Sequence, residues 1–217
     1  LSIKIPTVYN LMPSSELENM EDYATKFLSE KYTDICKKSK ILVKSGILLY
    51  GEPGIGKSNY INYLMKKSLD SQKSCVFNIN TYQKLVVLVP KLKELRAIQN
   101  NLFVVVLEEV DELLNINGVE GILKNLMDGI DSIDNCLFLS STNYIDKIPK
   151  SLTERPSRFK KCLKITQSGD VEKVKKWLEG IYDNFIDSLE KEDYEALHEK
   201  CLNRTIDEIK HILIDYK

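Results

Sequence analysis

Apolar positions along the chain change their period twice. Residues 1–13 alternate Ile3, Ile5 and Val8 with polar neighbours and contain two prolines, which predicts an arm or an edge strand. From Ser14-Ser15-Glu16 to Lys31, Leu17, Met20, Tyr23, Phe27 and Leu28 share one helical face. Short apolar runs then follow at Gly46–Tyr50, Ser74–Ile79, Leu102–Leu107, Cys136–Ser140 and Leu163–Ile165. Between them, helices are predicted over Asn59–Leu69, around Leu92–Gln99 and over Val119–Met127. Leu102–Leu107 is apolar at every position, as expected of a strand covered on both faces. Strands alternating with helices predict crossover units and a parallel sheet. From Asp170 the pattern becomes purely helical, with Val171, Val174, Leu178, Ile181, Phe185 and Leu189 in one stripe. Glu192–Cys201 and Thr205–Ile214 predict two more helices, the last opened by a Thr205/Glu208 capping box.

Charge sharpens the boundary between the two patterns. From Gln167 onward acids outnumber bases 13 to 8, whereas the preceding residues carry 23 bases against 19 acids. The expected division is an arm at 1–14, an α/β unit at 15–166 and an all-helical unit at 167–217. A net charge of −1 lacks the basic excess of a nucleic-acid-binding domain. The longest apolar runs, Leu85–Val89 and Leu102–Leu107, are far below the ~20 residues of a membrane helix. No basic start followed by an apolar stretch opens the chain, so no signal peptide and a cytoplasmic location are expected. Leu rather than Met stands first, which leaves room for a longer natural chain. The five cysteines are unpaired in spacing and are expected to be buried free thiols. His198 and His211 are expected to be solvated helix residues.

Gly51-Glu52-Pro53-Gly54-Ile55-Gly56-Lys57-Ser58 fits G-x-x-x-x-G-K-[ST] at every fixed position, between a predicted strand and a predicted helix. Glycines let the backbone wrap closely around oxygens, and free amides at the helix start point at an anion. Lys57 supplies a point charge to β- and γ-phosphates, and the Ser58 hydroxyl is a magnesium ligand. Fifty residues on, the apolar run Leu102–Leu107 meets Glu108-Glu109-Val110-Asp111-Glu112. Ligands of parallel sheets bind beyond the carboxyl ends of strands, so these acids face the crevice of the phosphate loop. One acid holds magnesium through its water and the next orients the attacking water.

These residues carry a resemblance to the AAA family of the AAA+ ATPase superfamily, over about residues 15–217. Gly46–Gly51 is similar to the approach to the family's Walker A loop, and Leu107-Glu108-Glu109-Val110-Asp111 resembles its Walker B segment. Met127-Asp128-Gly129-Ile130 resembles a further recurrent segment. Ser141-Thr142-Asn143 resembles the sensor-1 region, and Leu152–Phe159 the segment with paired arginine fingers. The resemblance implies a P-loop NTPase core with a helical lid, binding ATP with Mg2+. Gly51 to Ser58 and Asn59 would bind the nucleotide, and Ser58 with Glu108 the metal. Glu109, Asn143, Arg155 and Arg158 would be catalytic, the arginines reaching into a neighbouring subunit of a ring.

The chain also departs from the family. Glu52 stands where proline is more usual, and Glu108 where aspartate is. The stretch 80–92, where a pore loop is expected, contains no glycine and offers only Tyr82 to grip a polypeptide. Asn115–Gly118 is short for a second pore loop, and Arg204 as a sensor-2 residue is set against an ordinary surface arginine. Three functions follow. The paired arginines and Met127–Ile130 favour an oligomeric ATPase that remodels a protein partner. The seven basic residues between 144 and 165 support a DNA-transaction ATPase of clamp-loader or replication type. Glu108 and the missing pore-loop glycine support an ATP-gated assembly switch with weak hydrolysis.

Overall fold

A computed structural model describes residues 15–129, 132–166 and 191–215. The arm at 1–14, Ile130 and the stripe from Val171 to Leu189 lie outside the described residues. The expected strands form at β1 (Lys44–Tyr50), β2 (Ser74–Asn78), β3 (Leu102–Leu107), β4 (Cys136–Thr142) and β5 (Lys161–Lys164). They pair in the order β2-β3-β4-β1-β5, every pair parallel. All six residues of β3 are buried, and their alternation divides the core. Phe103, Val105 and Leu107 join one apolar cluster, and Leu102, Val104 and Val106 join the other.

Helices α1 (Ser15–Leu28), α2 (Glu30–Lys38) and α3 (Lys57–Ser71) supply one cluster through Met20, Phe27, Cys36, Tyr60 and Leu64. Helices α4 (Tyr82–Ile98), α5 (Val110–Leu114) and α6 (Val119–Asp128) supply the other through Leu85, Leu92, Leu113, Leu123 and Met127. The single helix expected over 14–31 is in fact two. Ser29 has extended backbone angles (φ −76°, ψ 144°), and its hydroxyl accepts from the Tyr32 N–H at 3.2 Å. A serine that satisfies a free amide in this way starts a new helix, and α2 is the result.

The stretch expected as a loop over 80–92 is largely helix. Thr81 caps α4, its hydroxyl accepting from the Lys84 N–H at 3.3 Å, and Leu85 and Leu92 anchor it to the core. Arg96 fastens the other end of α4. Its guanidinium lies 3.8 Å from the Phe103 ring centroid and donates to the carbonyls of Gln99, Asn101 and Asn135. Of the cysteines, Cys36, Cys136 and Cys201 are buried free thiols as expected, but Cys75 and Cys162 are only half-buried. Burial pushes the Cys136 thiol up to about 12.

A short helix α7 (Lys150–Thr153) precedes β5, and after that strand the described chain resumes with α8 (Lys191–Cys201) and α9 (Ile206–Asp215). The predicted capping box is formed: Thr205 N–H donates to Glu208 Oε2 at 2.7 Å, and Glu208 N–H to Thr205 Oγ1 at 3.2 Å. Five parallel strands between helical layers, followed by C-terminal helices, make a P-loop NTPase core with a helical subdomain. Among the described residues no helix is long and apolar enough to cross a membrane.

The middle of β1 packs against the 155–159 turn so closely that only glycine fits. A methyl group at Gly46 would lie 2.4 Å from the Arg158 carbonyl oxygen and 3.0 Å from Phe159 Cδ1. Gly46→Ala is expected to cost about 1–3 kcal/mol of stability by overpacking. At Gly121, on the exposed side of α6, a methyl meets nothing within 4 Å. Gly121→Ala is therefore expected to add about 0.5–1 kcal/mol. Urea unfolding checks both, and a parental midpoint for Gly46→Ala would mean that the turn moves freely away from β1.

Candidate functional site

Strand register creates the site. In β3 and β4, Leu107 pairs with Ser140, and in β4 and β1, Thr142 pairs with Tyr50. With neighbouring strands about 4.8 Å apart, the next residues, Glu108, Asn143 and Gly51, leave the sheet at one edge. Beyond that edge lies a cavity of about 270 Å3 lined by Lys57, Ser58, Asn59, Glu108, Glu109 and Asn143. Pro53, Gly54, Gly56, Ser141 and Thr142 also border it. Of the other expected loop residues, Glu52 and Ile55 face a separate space of about 230 Å3, and Gly51 borders neither.

The 51–59 loop has the backbone its glycines allow. Gly54 and Gly56 have φ of 74° and 91°, the left-handed region that penalises a side chain. Gly56 is the N-cap of α3, and its carbonyl already accepts from the Asn59 N–H at 2.9 Å, so it is the amides of Lys57 and Ser58 that have no carbonyl of their own turn to meet. Lys57 arches back over the loop, its ammonium donating to the carbonyls of Gly51 at 2.8 Å and Glu52 at 2.7 Å. Burial lowers the Lys57 pKa, and the charges of Glu109 and Asp111 oppose that shift. A cation held by neutral carbonyls, with its main counter-charges farther off, is placed to take an anionic partner.

The acidic turn is held at three points. Ser58 Oγ donates to Glu108 Oε2 at 2.6 Å, joining phosphate loop to strand end. Glu109 adopts a left-handed backbone (φ 50°, ψ 48°), a costly conformation for a side chain of this size, and its N–H donates to Ser141 Oγ at 3.3 Å. Asp111 is buried and accepts from Thr142 Oγ1 at 2.6 Å, while Thr142 in turn accepts from the Tyr144 N–H at 3.0 Å. These bonds fix the tip of β4, and with it Asn143, against the end of β3. Among the described residues no group of three or more His, Cys, Asp or Glu could hold a metal. One hydroxyl and one carboxylate, touching each other beside a phosphate loop, nevertheless fit magnesium, which keeps waters and phosphate oxygens as its other ligands.

Neither arginine of the expected finger pair lines this cavity. Both lie 3.8 Å from Asp128 Oδ2, Arg155 through Nη1 and Arg158 through Nε. Lys44 also reaches this carboxylate, 3.8 Å from Oδ1, and donates to the Met127 carbonyl at 2.6 Å. The two arginines differ in exposure: the Arg155 side chain is 63% exposed and that of Arg158 is 8%. Arg158 Nη1 further donates to the Ser151 carbonyl at 2.5 Å.

The C-terminal subdomain contributes residues that spacing along the sequence did not single out. Ile206, Asp207 and Lys210, one face of α9, line the same cavity as Lys57 and Ser58. Arg204, weighed as a sensor residue, does not; it is 55% exposed and pairs with Glu208 at 3.5 Å. The capping box is the signal that could have found them, because it sets the start of α9 and hence which residues share a face. On the other side of Glu108 and Glu109 lies a cavity of about 600 Å3 that Tyr82, Thr81, Asn78 and Glu112 also line.

A model of the ATPase family associated with various cellular activities (AAA) matches residues 47–167. No curated protein matches the chain.

The bond between Asp111 and Thr142 is open to a direct test. Thr142→Val leaves a buried carboxylate without its donor and is expected to cost about 1–3 kcal/mol, whereas Thr142→Ser stays close to the parent. Combining Thr142→Val with Asp111→Ala should cost less than the two changes summed, as for groups in contact. Additive costs in urea unfolding would show that the two strand ends are not coupled here.

Proposed function

The chain belongs to the AAA family of ATPases, and from that premise we propose that it binds ATP with magnesium on the 51–59 loop and hydrolyses it within an oligomer, driving the remodelling of a protein partner or assembly. Family membership implies ATP hydrolysis in general. The observation that carries the reading for this chain is the meeting of Lys57, Ser58, Glu108, Glu109 and Asn143 around one cavity at the carboxyl edge of the sheet.

Each residue then has a task. Amides at the start of α3 bind phosphate oxygens, helped by the helix dipole. Lys57 exchanges the carbonyls of Gly51 and Glu52 for β- and γ-phosphate oxygens. Ser58 and Glu108 would hold magnesium, which when bound screens the charge of the phosphates. Glu109 orients the attacking water and accepts its proton, and Asn143 holds that water by a hydrogen bond. The left-handed backbone at Glu109 supports this assignment, since strain of this kind gathers where a side chain must be aimed.

The exposed Arg155 is the residue proposed to reach the neighbouring subunit's nucleotide, where an arginine in trans can raise the rate about 10³–10⁵-fold. Arg158, buried against Asp128 and Ser151, supports the turn that presents it. The basic residues from 144 to 165 leave a DNA-dependent activity as an outcome of the tests.

Lys57→Ala is expected to abolish ATP binding, measured by calorimetry. Glu109→Gln should bind ATP normally and hydrolyse it at least about 10²-fold more slowly; that phenotype in Glu108→Gln instead would move the assignment by one residue. Arg155→Ala should bind ATP yet lose turnover, and mixing it with Glu109→Gln should restore part of the activity at mixed interfaces. Parental turnover in Arg155→Ala would refute action in trans. Turnover that rises only when single-stranded DNA is added would favour a DNA-transaction ATPase.

A further inference from the structure

The turn between α2 and β1 presents apolar side chains to solvent at the amino edge of the sheet, the edge opposite the cavity of Lys57 and Ser58. Residues 37–42 are all exposed, and so are Lys31 and Ile35 on α2. Ile35, Ile41 and Leu42 keep 53%, 62% and 39% of their surface in contact with solvent. The segment is nonetheless firmly shaped. The Lys40 N–H donates to the Lys37 carbonyl at 3.1 Å and the Ile41 N–H to the Cys36 carbonyl at 2.9 Å, the two bonds of a Schellman motif. Val43 is buried and fastens the turn to the body, its N–H donating to Asp134 Oδ1 at 2.6 Å. The motif turns Ile41 back toward the last turn of α2, where Ile35 sits with Lys31 and Lys38 one turn to either side.

Lysines in the last turn of a helix complement its dipole, which accounts for Lys37 and Lys38. It does not account for Lys40, whose φ of 54° lies in the left-handed region where this motif ordinarily has glycine. A lysine is held there at a cost, with its charge at the tip of the turn. Nor does the dipole account for three large apolar side chains left in water. Among the described residues Lys31, Lys37, Lys38 and Lys40 form no ion pair. Glu30 and Asp34 are the acids of the segment, so four lysines stand against two carboxylates over 30–42. The cores of protein interfaces are poor in lysine, and a nucleic acid backbone has no use for Ile41 and Leu42. Lysines ringed around aliphatic tips match an anionic bilayer, whose headgroups meet the ammonium groups while the tips enter the boundary with the acyl chains.

We propose that this turn docks the protein on an anionic membrane surface. Ile35, Ile41 and Leu42 enter the headgroup layer, and Lys31, Lys37, Lys38 and Lys40 pair with the anionic groups of the lipids. From the turn, β1 runs to the phosphate loop, and its seven residues span about 23 Å. A membrane at the amino edge of the sheet therefore leaves the carboxyl edge and its cavity open. The inference does not depend on the reading of the 51–59 loop as an ATP site.

The test is flotation of the full chain with vesicles of phosphatidylcholine, alone or mixed with phosphatidylserine. Binding is expected only to the mixed vesicles, and it should fall as salt rises. Lys37→Gln combined with Lys38→Gln should weaken it about tenfold or more, since each lysine near such a surface contributes roughly a fivefold factor. Ile41→Ser combined with Leu42→Ser should weaken it about tenfold through lost apolar insertion. Lys40→Gly separates this role from a structural one. It relieves the left-handed backbone and should raise the urea midpoint, yet weaken vesicle binding about fivefold. Equal binding to both kinds of vesicle, or to neither, would overturn the proposal. So would parental vesicle binding in either double variant. Loss of self-association with vesicle binding intact in the serine double variant would make the turn a contact between copies of this chain, against the proposal. Single-stranded DNA bound through the lysines, with no vesicle binding, would make it a nucleic-acid surface and equally refute it.

Discussion

The parallel register of β3, β4 and β1 is the constraint on which the rest of the molecule depends. Leu107 opposite Ser140 and Thr142 opposite Tyr50 bring three chain segments to one edge. Side chains on a strand alternate between faces, so a slip by one residue would exchange every inward and outward position. Burial on both sides prevents that slip. Phe103, Val105 and Leu107 are committed to one apolar cluster and Leu102, Val104 and Val106 to the other. The hydrophobic effect thus fixes polar geometry at the carboxyl edge, although none of these six β3 residues lines the cavity.

Polar groups at that edge are arranged at a cost that this scaffold offsets. Asp111 is nearly removed from solvent, and a buried carboxylate is tolerable only with a good donor, which Thr142 supplies. Lys57 is partly desolvated, and the carbonyls of Gly51 and Glu52 accept from its ammonium in place of water. Glu109 carries backbone strain, and its neighbours Val110 and Leu113, buried in the core, hold it there. Each local expense is small beside the burial of a five-stranded sheet between two helical layers.

A second polar centre lies behind the site, around Asp128. Lys44 at the start of β1 and the arginines of the 155–159 turn converge on this one carboxylate. The same turn presses its backbone against Gly46 in the middle of β1. Sterics and charge therefore place Arg155 relative to the strand that leads into the phosphate loop.

The sequence alone carried the information that is local. The loop from Gly51 to Ser58, the uninterrupted apolar run of β3 and the Thr205/Glu208 box each depend on residues adjacent or one turn apart, and each fold element followed. Ser29 lies inside the helix predicted to Lys31, and only the extended backbone there separates α1 from α2. The family likeness predicts a loop within 80–92, but Leu85 and Leu92 share a helical face that packs into the core beside the sheet. Tertiary structure decided what depends on segments far apart in the chain. The burial of Arg158 requires Asp128 and Ser151, and the meeting of Asp207 with Gly54 requires α9 to fold back over a loop some 150 residues earlier. Such contacts leave no periodic trace, because the partners are brought together by packing rather than by spacing.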